Sequence, residues 1–421
     1  MTDVGVRPVR VVVVFVGTLM LTSPELVASD ARAMVPGGLQ SSPIKVMTMG
    51  EFEVPASNAK DAARPAGVRA RFVTVNAKGG IADDAGVRHK VRVIACNTMF
   101  DADEAERCAH EAVEKGVAAV VGMSVVNSDR VWPVLEGAGI AVIGPALNRA
   151  DDAISPVSFP VGSGTAGLLY GMPQLLARQG AERIGILVSD FGASTDGVVG
   201  LIENGLRLTS ASAGPVVRVP QNETDLEPFV DDVTAEDVDG VVSFLAGRGE
   251  ALLLEELEAS GFRGKHVTQT SFITSRLLYD MLRQTNETLV VGQFAQIAAS
   301  APGITRFRAD MRAFDPDVAS NEGALNSWIA AWVFERVAKG LDTIDARAVL
   351  DAMGELENLP MAGLTPPLTT VFDPENLPLL PRLFNPTVTF NQVDDGVIEP
   401  LSERFFDPFE GRFQRLPGSL P

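Results

Sequence analysis

The sequence predicts an α/β protein with two lobes, each built around a parallel sheet. The chain has 421 residues, and a single hydrophobic core stops growing at roughly 250 to 300 residues, so two cores are expected. From residue 91 onward, short runs rich in β-branched residues alternate with longer amphipathic segments, which is the pattern of βα units. The short runs are continuously apolar, as is typical of parallel strands covered on both faces.

The first series of βα units contains two helices with recognisable ends. The first should begin at Asp101 or Asp103, which are good N-cap residues, and end at Gly116. The second runs through Trp132 and Leu135 and should end at Gly137 or Gly139. The strands predicted around them are VRVIAC (91–96), VAAVVG (117–122) and IAVIGP (140–145).

A second series repeats the same pattern, and open parallel sheets bind ligands outside the carboxyl ends of their strands. Two such sheets that face each other would form a cleft. The strands predicted in the second series are RIGILVSD (183–190), PVVRVP (215–220), DGVVSFLA (239–246), KHVTQTS (265–271) and TLVVGQF (288–294). Helices are predicted near 166–178, 195–208, 225–233, 249–259, 304–314, 322–340 and 345–356. A proline-rich stretch (360–386) follows, and then TVTFNQVDDGVIEP predicts a hairpin that turns at Asp394, Asp395 and Gly396.

The N-terminus has the order of a signal peptide, which we assign to residues 1–33. Arg7 and Arg10 precede an apolar run from Val11 to Leu21, and Ala31-Arg32-Ala33 follows. The run is shorter than the about 20 residues that a membrane span needs. The alternative is a buried first strand, VRVVVVFV. No cysteine lies near the cleavage region, so we expect a periplasmic or secreted protein without a lipid anchor.

Charge and cysteine content limit the function further. The net charge of −19 disfavours nucleic acid as a partner, because phosphate binding depends on Lys and Arg. The chain has two cysteines, Cys96 and Cys108, and a close pair in an exported protein favours a disulfide. Cys96 ends a strand, and Cys108 shares a helical face with three alanines, so both should point into one sheet–helix layer. The alternative is two buried free thiols.

Three segments of the sequence resemble type I periplasmic binding proteins. NAKGGI (76–81) resembles the Asn-Ala-x-Gly-Gly-Ile signature of that family. The stretch from ACNTMF to AAVVG (95–122) is similar to the family's strand, acidic loop, helix and strand, and LEGAGIAVIGPA (135–146) is similar to its next helix end and strand. From Pro43 to about Glu399 the order of elements matches the leucine/isoleucine/valine-binding branch.

The resemblance implies two Rossmann-like lobes joined by a three-segment hinge. By analogy, the N-lobe comprises residues 43–160 plus 294–370 and the C-lobe comprises 161–293 plus 371–421. The implied function is that of the substrate-binding protein of an ABC importer, which closes around an amino acid, an amide or a related small polar solute and delivers it to a membrane permease. We therefore expect a monomer without a cofactor and without enzymatic activity.

Four ligand-binding residues are expected in the first lobe by this resemblance. Ser124 and Asn127 lie at a strand's carboxyl end, before a helix whose free N–H groups can bind a carboxylate. Ala146 and Asn148, in GPALN, occupy the next family ligand loop, where Asn148 replaces the usual hydroxyl residue. The alternative for these residues is an ordinary role in turns or caps.

In the second lobe, Asp190 and Phe191 follow a strand where the family often has an aromatic residue that covers the ligand. Ala246 and Thr270 fall near the positions of an aromatic residue and of a carboxylate that holds the ligand's ammonium group. Because a buried ammonium needs a paired acceptor, the candidate substitutes are Asp190 and, in the first lobe, Glu51 or Glu53. Alternatively, Arg248 could bind an anionic ligand through its guanidinium group.

A competing interpretation comes from GSGTAG (162–167), which fits the GxGxxG pattern of dinucleotide-binding loops, with Asp190 placed 23 residues after the last glycine. It would make the chain an NAD(P)-dependent oxidoreductase. The preceding segment, SPVSFPV, is short and carries two prolines, which weakens a central strand there. A third interpretation is an extracellular ligand-sensing domain of the same fold.

Overall fold

The computed structural model describes residues 42–54, 59–60, 63–245, 248–273, 288–373, 377, 379–394 and 397–414. The predicted signal peptide, Ala246 and the hairpin turn at Asp395 and Gly396 lie outside these residues. Within the described ranges, no helix is both long and apolar enough to cross a membrane.

The first sheet has five parallel strands in the order β6-β1-β7-β8-β9. Two small antiparallel pairs, β2–β3 and β4–β5, lie outside it. The bounds are β1 Ile44–Gly50, β2 Glu53–Val54, β3 Ala59–Lys60, β4 Ile81–Ala82, β5 Arg88–His89, β6 Val91–Asn97, β7 Ala119–Val121, β8 Val142–Ile143 and β9 Ser158–Phe159.

The second sheet has seven strands in the order β11-β10-β12-β13-β14-β15-β16. Its first five strands are parallel, whereas the pairings β14–β15 and β15–β16 are antiparallel, so the predicted hairpin extends the sheet at one edge. The bounds are β10 Arg183–Ser189, β11 Ser212–Val219, β12 Gly240–Phe244, β13 Lys265–Gln269, β14 Thr288–Gly292, β15 Thr389–Asp394 and β16 Val397–Pro400, and a separate pair is formed by β17 Phe406–Asp407 and β18 Arg412–Phe413.

The helices begin and end where local sequence dictates. The Asp101 side chain accepts from the N–H groups of Asp103 and Glu104 and caps α2, and Gly116 ends that helix in the left-handed conformation. The bounds are α1 Ala63–Ala77, α2 Ala102–Lys115, α3 Trp132–Ala138, α4 Gly164–Arg178, α5 Ser194–Leu206, α6 Glu227–Val233, α7 Gly249–Ala259, α8 Pro302–Phe314, α9 Glu322–Ala338 and α10 Ala346–Gly354.

The described chain crosses between the two sheets three times. It leaves the first sheet between β9 and α4, returns between β14 and α8, and leaves again between α10 and β15. The predicted class, α/β with two parallel-sheet cores, is confirmed. The exact lobe boundaries stay a prediction.

Helix α9 lies against the carboxyl ends of β7 and β8. Gly122 and Gly144, which follow these strands, have φ of 69° and 67°. A Cβ atom on Gly122 would lie 3.0 Å from the Cβ of Ser327, and one on Gly144 would lie 2.5 Å from the Cβ of Ala330. Glycine is therefore required at both positions for two reasons, namely the left-handed backbone conformation and the close approach of the helix.

The structure also joins Cys96 and Cys108 in a disulfide with a Cα–Cα distance of 5.8 Å. Both residues are buried. The bridge links the end of β6 to the middle of α2, in the sheet–helix layer that the sequence predicts.

Candidate functional site

The predicted residues Glu51 and Ser124 lie together at the carboxyl edge of the first sheet. Gly50, at the end of β1, forms a parallel bridge with Ser124, and the Ser124 N–H donates to the Met49 carbonyl at 2.9 Å. Ser124 is 7% exposed. The backbone of this loop is thus an extension of the β1–β7 pairing.

Glu51 holds two strand-end loops together. Its Oε1 accepts from the Val126 N–H at 2.8 Å and from the Thr98 hydroxyl at 3.1 Å. Burial raises the pKa of Glu51, and these hydrogen bonds oppose the rise. The contacts give Glu51 a structural role beside Ser124, and its binding to a ligand stays a prediction.

The helix expected just after the loop VGMSVVNSD (121–129) is present, and it runs through Trp132 and Leu135 as predicted. A single 3₁₀ turn spans Ser128–Arg130, and α3 begins only at Trp132, because Pro133 favours the first turn of a helix. Half-buried Asn127 donates from its side-chain amide to a backbone carbonyl of the β6–α2 loop at 3.2 Å. Binding of a carboxylate by the N–H groups that follow this loop stays a prediction.

The loop that carries Ala146 and Asn148 is held by a buried carboxylate. Asp152 Oδ2 accepts from the Asn148 N–H at 2.8 Å, and its Oδ1 accepts from the Trp132 indole N–H at 3.0 Å. Burial raises the pKa of Asp152. The Ala146 N–H donates to the Met123 carbonyl at 2.8 Å, so this loop is fixed next to the Ser124 loop, with Asn148 exposed.

At the carboxyl edge of the second sheet, Asp190 forms a turn and Phe191 begins a row of aromatic rings. The exposed Asp190 accepts from the Gly192 N–H at 2.8 Å. The Phe191 and Phe244 ring centroids are 5.9 Å apart, and those of Phe244 and Phe272 are 5.1 Å apart. All three rings are half-buried, so they present apolar surface beside the strand ends.

A buried polar cluster supports the loop after β12. The Ser243 hydroxyl lies 2.7 Å from Glu250 Oε2 and 2.7 Å from His266 Nε2, and Glu250 Oε1 accepts from the Leu245 N–H at 2.9 Å. Burial raises the pKa of Glu250 to about 7 and lowers that of His266 to about 3. All three side chains are buried, with 0 to 5% of each residue exposed, so the cluster is a structural support and has no access to substrate.

Glu322, the first residue of α9, connects the two carboxyl edges. Its Oε2 accepts from the hydroxyl of Thr270, which follows β13, and its Oε1 accepts from the Gln293 amide at 3.0 Å. One turn further along α9, Asn326 donates to the Gly144 carbonyl beyond β8 at 3.2 Å. The start of α9 therefore touches the carboxyl edge of both sheets.

A cavity of about 320 Å³ opens beside this connection, and we call it the Glu322 cavity. Of the predicted site residues that the structure describes, Thr270 alone lines it. Its polar lining comes from Thr270, Gln296, Arg308, Ser320, Asn321 and Glu322, and its apolar lining includes Ile273, Phe294, Ile297, Leu325, Val397 and Ile398.

Sequence reasoning missed Phe244, Phe272, Arg308 and Glu322. The two phenylalanines had a usable signal, because Phe244 lies near the end of one predicted strand and Phe272 lies just beyond the end of another. The two charged residues had none, because they lie on α8 and α9, which reach the cavity only through the tertiary fold.

The glycines of GSGTAG are packed against side chains. A Cβ on Gly162 would lie 2.6 Å from Gln293 Oε1, and one on Gly164 would lie 2.3 Å from the Cβ of Leu147. The Gly164 N–H already donates to Gln293 Oε1 at 2.8 Å. These glycines therefore serve the crossing between β9 and α4, where a dinucleotide loop would turn its N–H groups towards a pyrophosphate.

The chain is similar to known proteins in sequence and in structure. The model of a family described as periplasmic binding protein matches residues 55–376, whereas no curated protein matches the chain. A substrate-binding protein of an ABC transporter from Aeropyrum pernix is similar in structure, with a TM-score of 0.73, 16% identity, and coverage of 87% of this chain and 97% of that one.

Two further structures similar to the chain contain ligands. The branched-chain amino acid transporter substrate-binding protein LivJ from Streptococcus pneumoniae, in complex with isoleucine, has a TM-score of 0.67 and 14% identity, with 85% of this chain and 98% of that one covered. A solute-binding protein from R. palustris, in complex with 4-hydroxybenzoate, has a TM-score of 0.68 and 16% identity, with 88% and 99% covered. At these identities the likeness shows the fold alone.

Proposed function

The chain belongs to the periplasmic binding protein family, and we propose that it is the extracytoplasmic substrate-binding protein of an ABC importer. In this proposal it captures a small polar solute, such as an amino acid, an amide or a related compound, and delivers it to a membrane permease. It acts as a monomer and performs no chemistry on the solute.

The observation that carries the proposal is the contact of α9 with both carboxyl edges. Glu322 bonds to Thr270 beyond β13, and Asn326 bonds to the Gly144 carbonyl beyond β8. Because parallel sheets bind ligands at their carboxyl ends, a solute at this junction is reached by loops of both sheets. Closure of the sheets around it is driven by contacts that exist only in the closed state.

The strand-end loops take different parts in this proposal. Ser124, Asn127, Ala146 and Asn148 supply polar and backbone groups from the first sheet. The row formed by Phe191, Phe244 and Phe272 covers the apolar part of the solute, since aromatic side chains supply large rigid contact areas. A cleft of this kind, with mostly apolar walls and few polar groups, is typical of small-molecule sites.

Thermal unfolding of the purified full chain tests the proposed function. The panel contains L-isoleucine, the other standard amino acids, acetamide, urea and 4-hydroxybenzoate, with NAD as the probe of the alternative. One class of solute should raise the free energy of unfolding by about 3 kcal/mol at 100-fold excess over its Kd. Stabilisation by NAD with no response to any solute would instead support an oxidoreductase.

A further inference from the structure

The loop after β7, which carries Ser124 and Asn127, rests on the ends of two neighbouring strands. A Cβ atom on Gly50, the last residue of β1, would lie 2.6 Å from the Ser124 carbonyl oxygen, so the loop lies directly on the end of β1. The Asn127 amide donates to the Phe100 carbonyl, in the loop after β6, at 3.2 Å. Strands β6, β1 and β7 are neighbours in the sheet, so their three loops (51–52, 97–100 and 124–127) meet, and we call them the three-loop junction.

Glu51 bonds to both of the other loops in the three-loop junction. Its Oε1 accepts from the Val126 N–H at 2.8 Å and from the Thr98 hydroxyl at 3.1 Å. A carboxylate oxygen offers about two acceptor sites, so these two donors occupy the acceptor sites of Oε1. Hydrogen bonds to an ionised group are stronger than neutral ones by a factor of roughly two. Glu51 therefore holds the loops after β6 and β7 to the end of β1 through one atom.

The two loops differ in what else holds them. The loop after β6 is also fixed by its backbone, because the Thr98 N–H donates to the Gly50 carbonyl at 3.0 Å. Residues 125–127 are held to the other two loops, among the described residues, by one hydrogen bond from the Asn127 side chain besides the bond to Glu51. Loss of the Glu51 side chain should therefore free residues 125–127 and leave the loop after β6 in place.

We propose that Glu51 is a positioning residue of the solute site: it holds residues 124–127 in the arrangement that binds the solute and makes no contact with the solute itself. This assignment rests on the proposed function and deepens it, because Ser124 and Asn127 supply polar groups to the solute from this loop. A loop that is in the binding arrangement for only part of the time weakens the apparent affinity by that fraction. Binding loops therefore need supporting residues whose own bonds are fixed.

Positioning of the loop and direct binding of a cationic nitrogen require different properties of Glu51. Positioning needs an oxygen that accepts two hydrogen bonds, which the amide oxygen of Gln also provides. Pairing with an ammonium group needs a negative charge, which Gln lacks. Glu51→Gln should therefore keep the loop in place, whereas Glu51→Ala, which removes the acceptor, should release it.

Isothermal titration of the purified full chain tests the effect on binding. The probes are L-isoleucine, 3-methylpentanoate, which has the same apolar body without the ammonium group, and 4-hydroxybenzoate. Glu51→Ala should raise the Kd of any probe that binds at least about tenfold, and Glu51→Gln should change it by less than about threefold. The ratio of the Kd values of L-isoleucine and 3-methylpentanoate should be the same in Glu51→Gln as in the wild type.

Hydrogen exchange in the absence of solute tests the loop itself. Mass spectrometry of the peptide that contains Val126 should show exchange at least about tenfold faster in Glu51→Ala and unchanged in Glu51→Gln, since exchange reports local opening. The matched control is Glu136→Ala, which is exposed on α3, the helix that follows the same loop, and which should change neither the Kd nor the exchange. Urea unfolding of each variant confirms that it is folded.

The outcomes separate this proposal from the proposed function. If Glu51→Gln weakens L-isoleucine as much as Glu51→Ala does and leaves 3-methylpentanoate unchanged, Glu51 binds the ammonium group and the positioning role is overturned. If a probe binds the wild type and both variants equally, with equal exchange at Val126, the role is also overturned while the binding function stands. If no solute of the panel binds the wild type but the exchange responds as expected, Glu51 holds the loop and the proposed function fails.

Discussion

At the scale of single residues, the Glu250–His266 pair determines part of the pH dependence of stability. The folded-state pKa of Glu250 is about 7 against an ordinary 4.5, so its contribution to the free energy of unfolding falls as pH rises from 4.5 to 7. The folded-state pKa of His266 is about 3 against 6.5, so its contribution rises between pH 3 and 6.5. The two effects oppose each other between pH 4.5 and 6.5.

Glu250→Gln should therefore gain stability relative to the wild type as pH rises. Above pH 7 the wild type holds an ionised carboxylate in a buried site, and the neutral amide avoids that cost. We expect the difference in unfolding free energy to shift by about 3 kcal/mol in favour of the variant between pH 4 and pH 8, measured by urea unfolding. Glu258→Gln, exposed on the same helix, should shift by less than about 0.5 kcal/mol; an equal shift in both would contradict the account.

Phe272 offers a direct test of the aromatic row. Phe272→Leu keeps an apolar side chain but removes the ring that lies 5.1 Å from Phe244, so the Kd of the bound solute should rise roughly 2- to 10-fold. The control is Phe262→Leu, which lies just before β13 begins, whereas Phe272 follows the end of β13. This control should leave the Kd unchanged in the same titration. An unchanged Kd in both variants would remove the row from the site.

The sequence placed one half of the candidate site better than the other. Ser124 and Ala146 follow strands with clear apolar patterns, and parallel strands end at one edge, so their neighbourhood was predictable. The Thr270–Glu322 contact joins residues 52 positions apart in the chain. An acidic residue at the start of a helix is also common for electrostatic reasons alone, so nothing in the local sequence distinguished Glu322.

At the scale of elements, the docking of α9 on β7 and β8 sets the position of Glu322. Gly144→Ala would place a methyl group 2.5 Å from the Cβ of Ala330 at a φ of 67°. We expect a loss of at least about 2 kcal/mol in unfolding free energy, and weaker solute binding because α9 must shift. Chemical denaturation and titration of the same sample measure both effects.

Gly137→Ala is the matched control for that change. Gly137 lies in α3, and a Cβ there would meet no atom within 4 Å. The substitution should be neutral or stabilising by up to about 1 kcal/mol, since alanine is the better helix former. A comparable loss of stability in both variants would show that the close approach of α9 is not the cause.

The element pattern was predictable where local chemistry is decisive. Helix α2 begins after Asp101 and ends at Gly116 as predicted, because the geometry of these caps depends on neighbouring residues only. The last predicted residues of KHVTQTS form a 3₁₀ turn, Thr270–Phe272, and β8 retains two residues of IAVIGP. At these strand ends the partner strand stops, and no short-range pattern reports where that happens.

At the scale of the whole molecule, repeated βα units and chain length were enough to predict two parallel-sheet cores. The contact between their carboxyl edges was not predictable from periodicity, because it depends on the three crossings of the chain. Gln293 and Gly164 lie at two of these crossings and are joined by a hydrogen bond of 2.8 Å. The Gln293 amide also donates to Glu322, so a residue that joins two crossings also holds the candidate site in place.

Closure of the two sheets around a solute is the central claim, and the distance between them tests it most directly. Pulsed electron paramagnetic resonance measures that distance between spin labels on Glu114→Cys in α2 and Glu258→Cys in α7. Both positions are exposed, and the Cys96–Cys108 disulfide is left intact during labelling. The account predicts that a saturating solute shortens the mean distance and narrows its distribution. An unchanged distribution with the solute bound would contradict it.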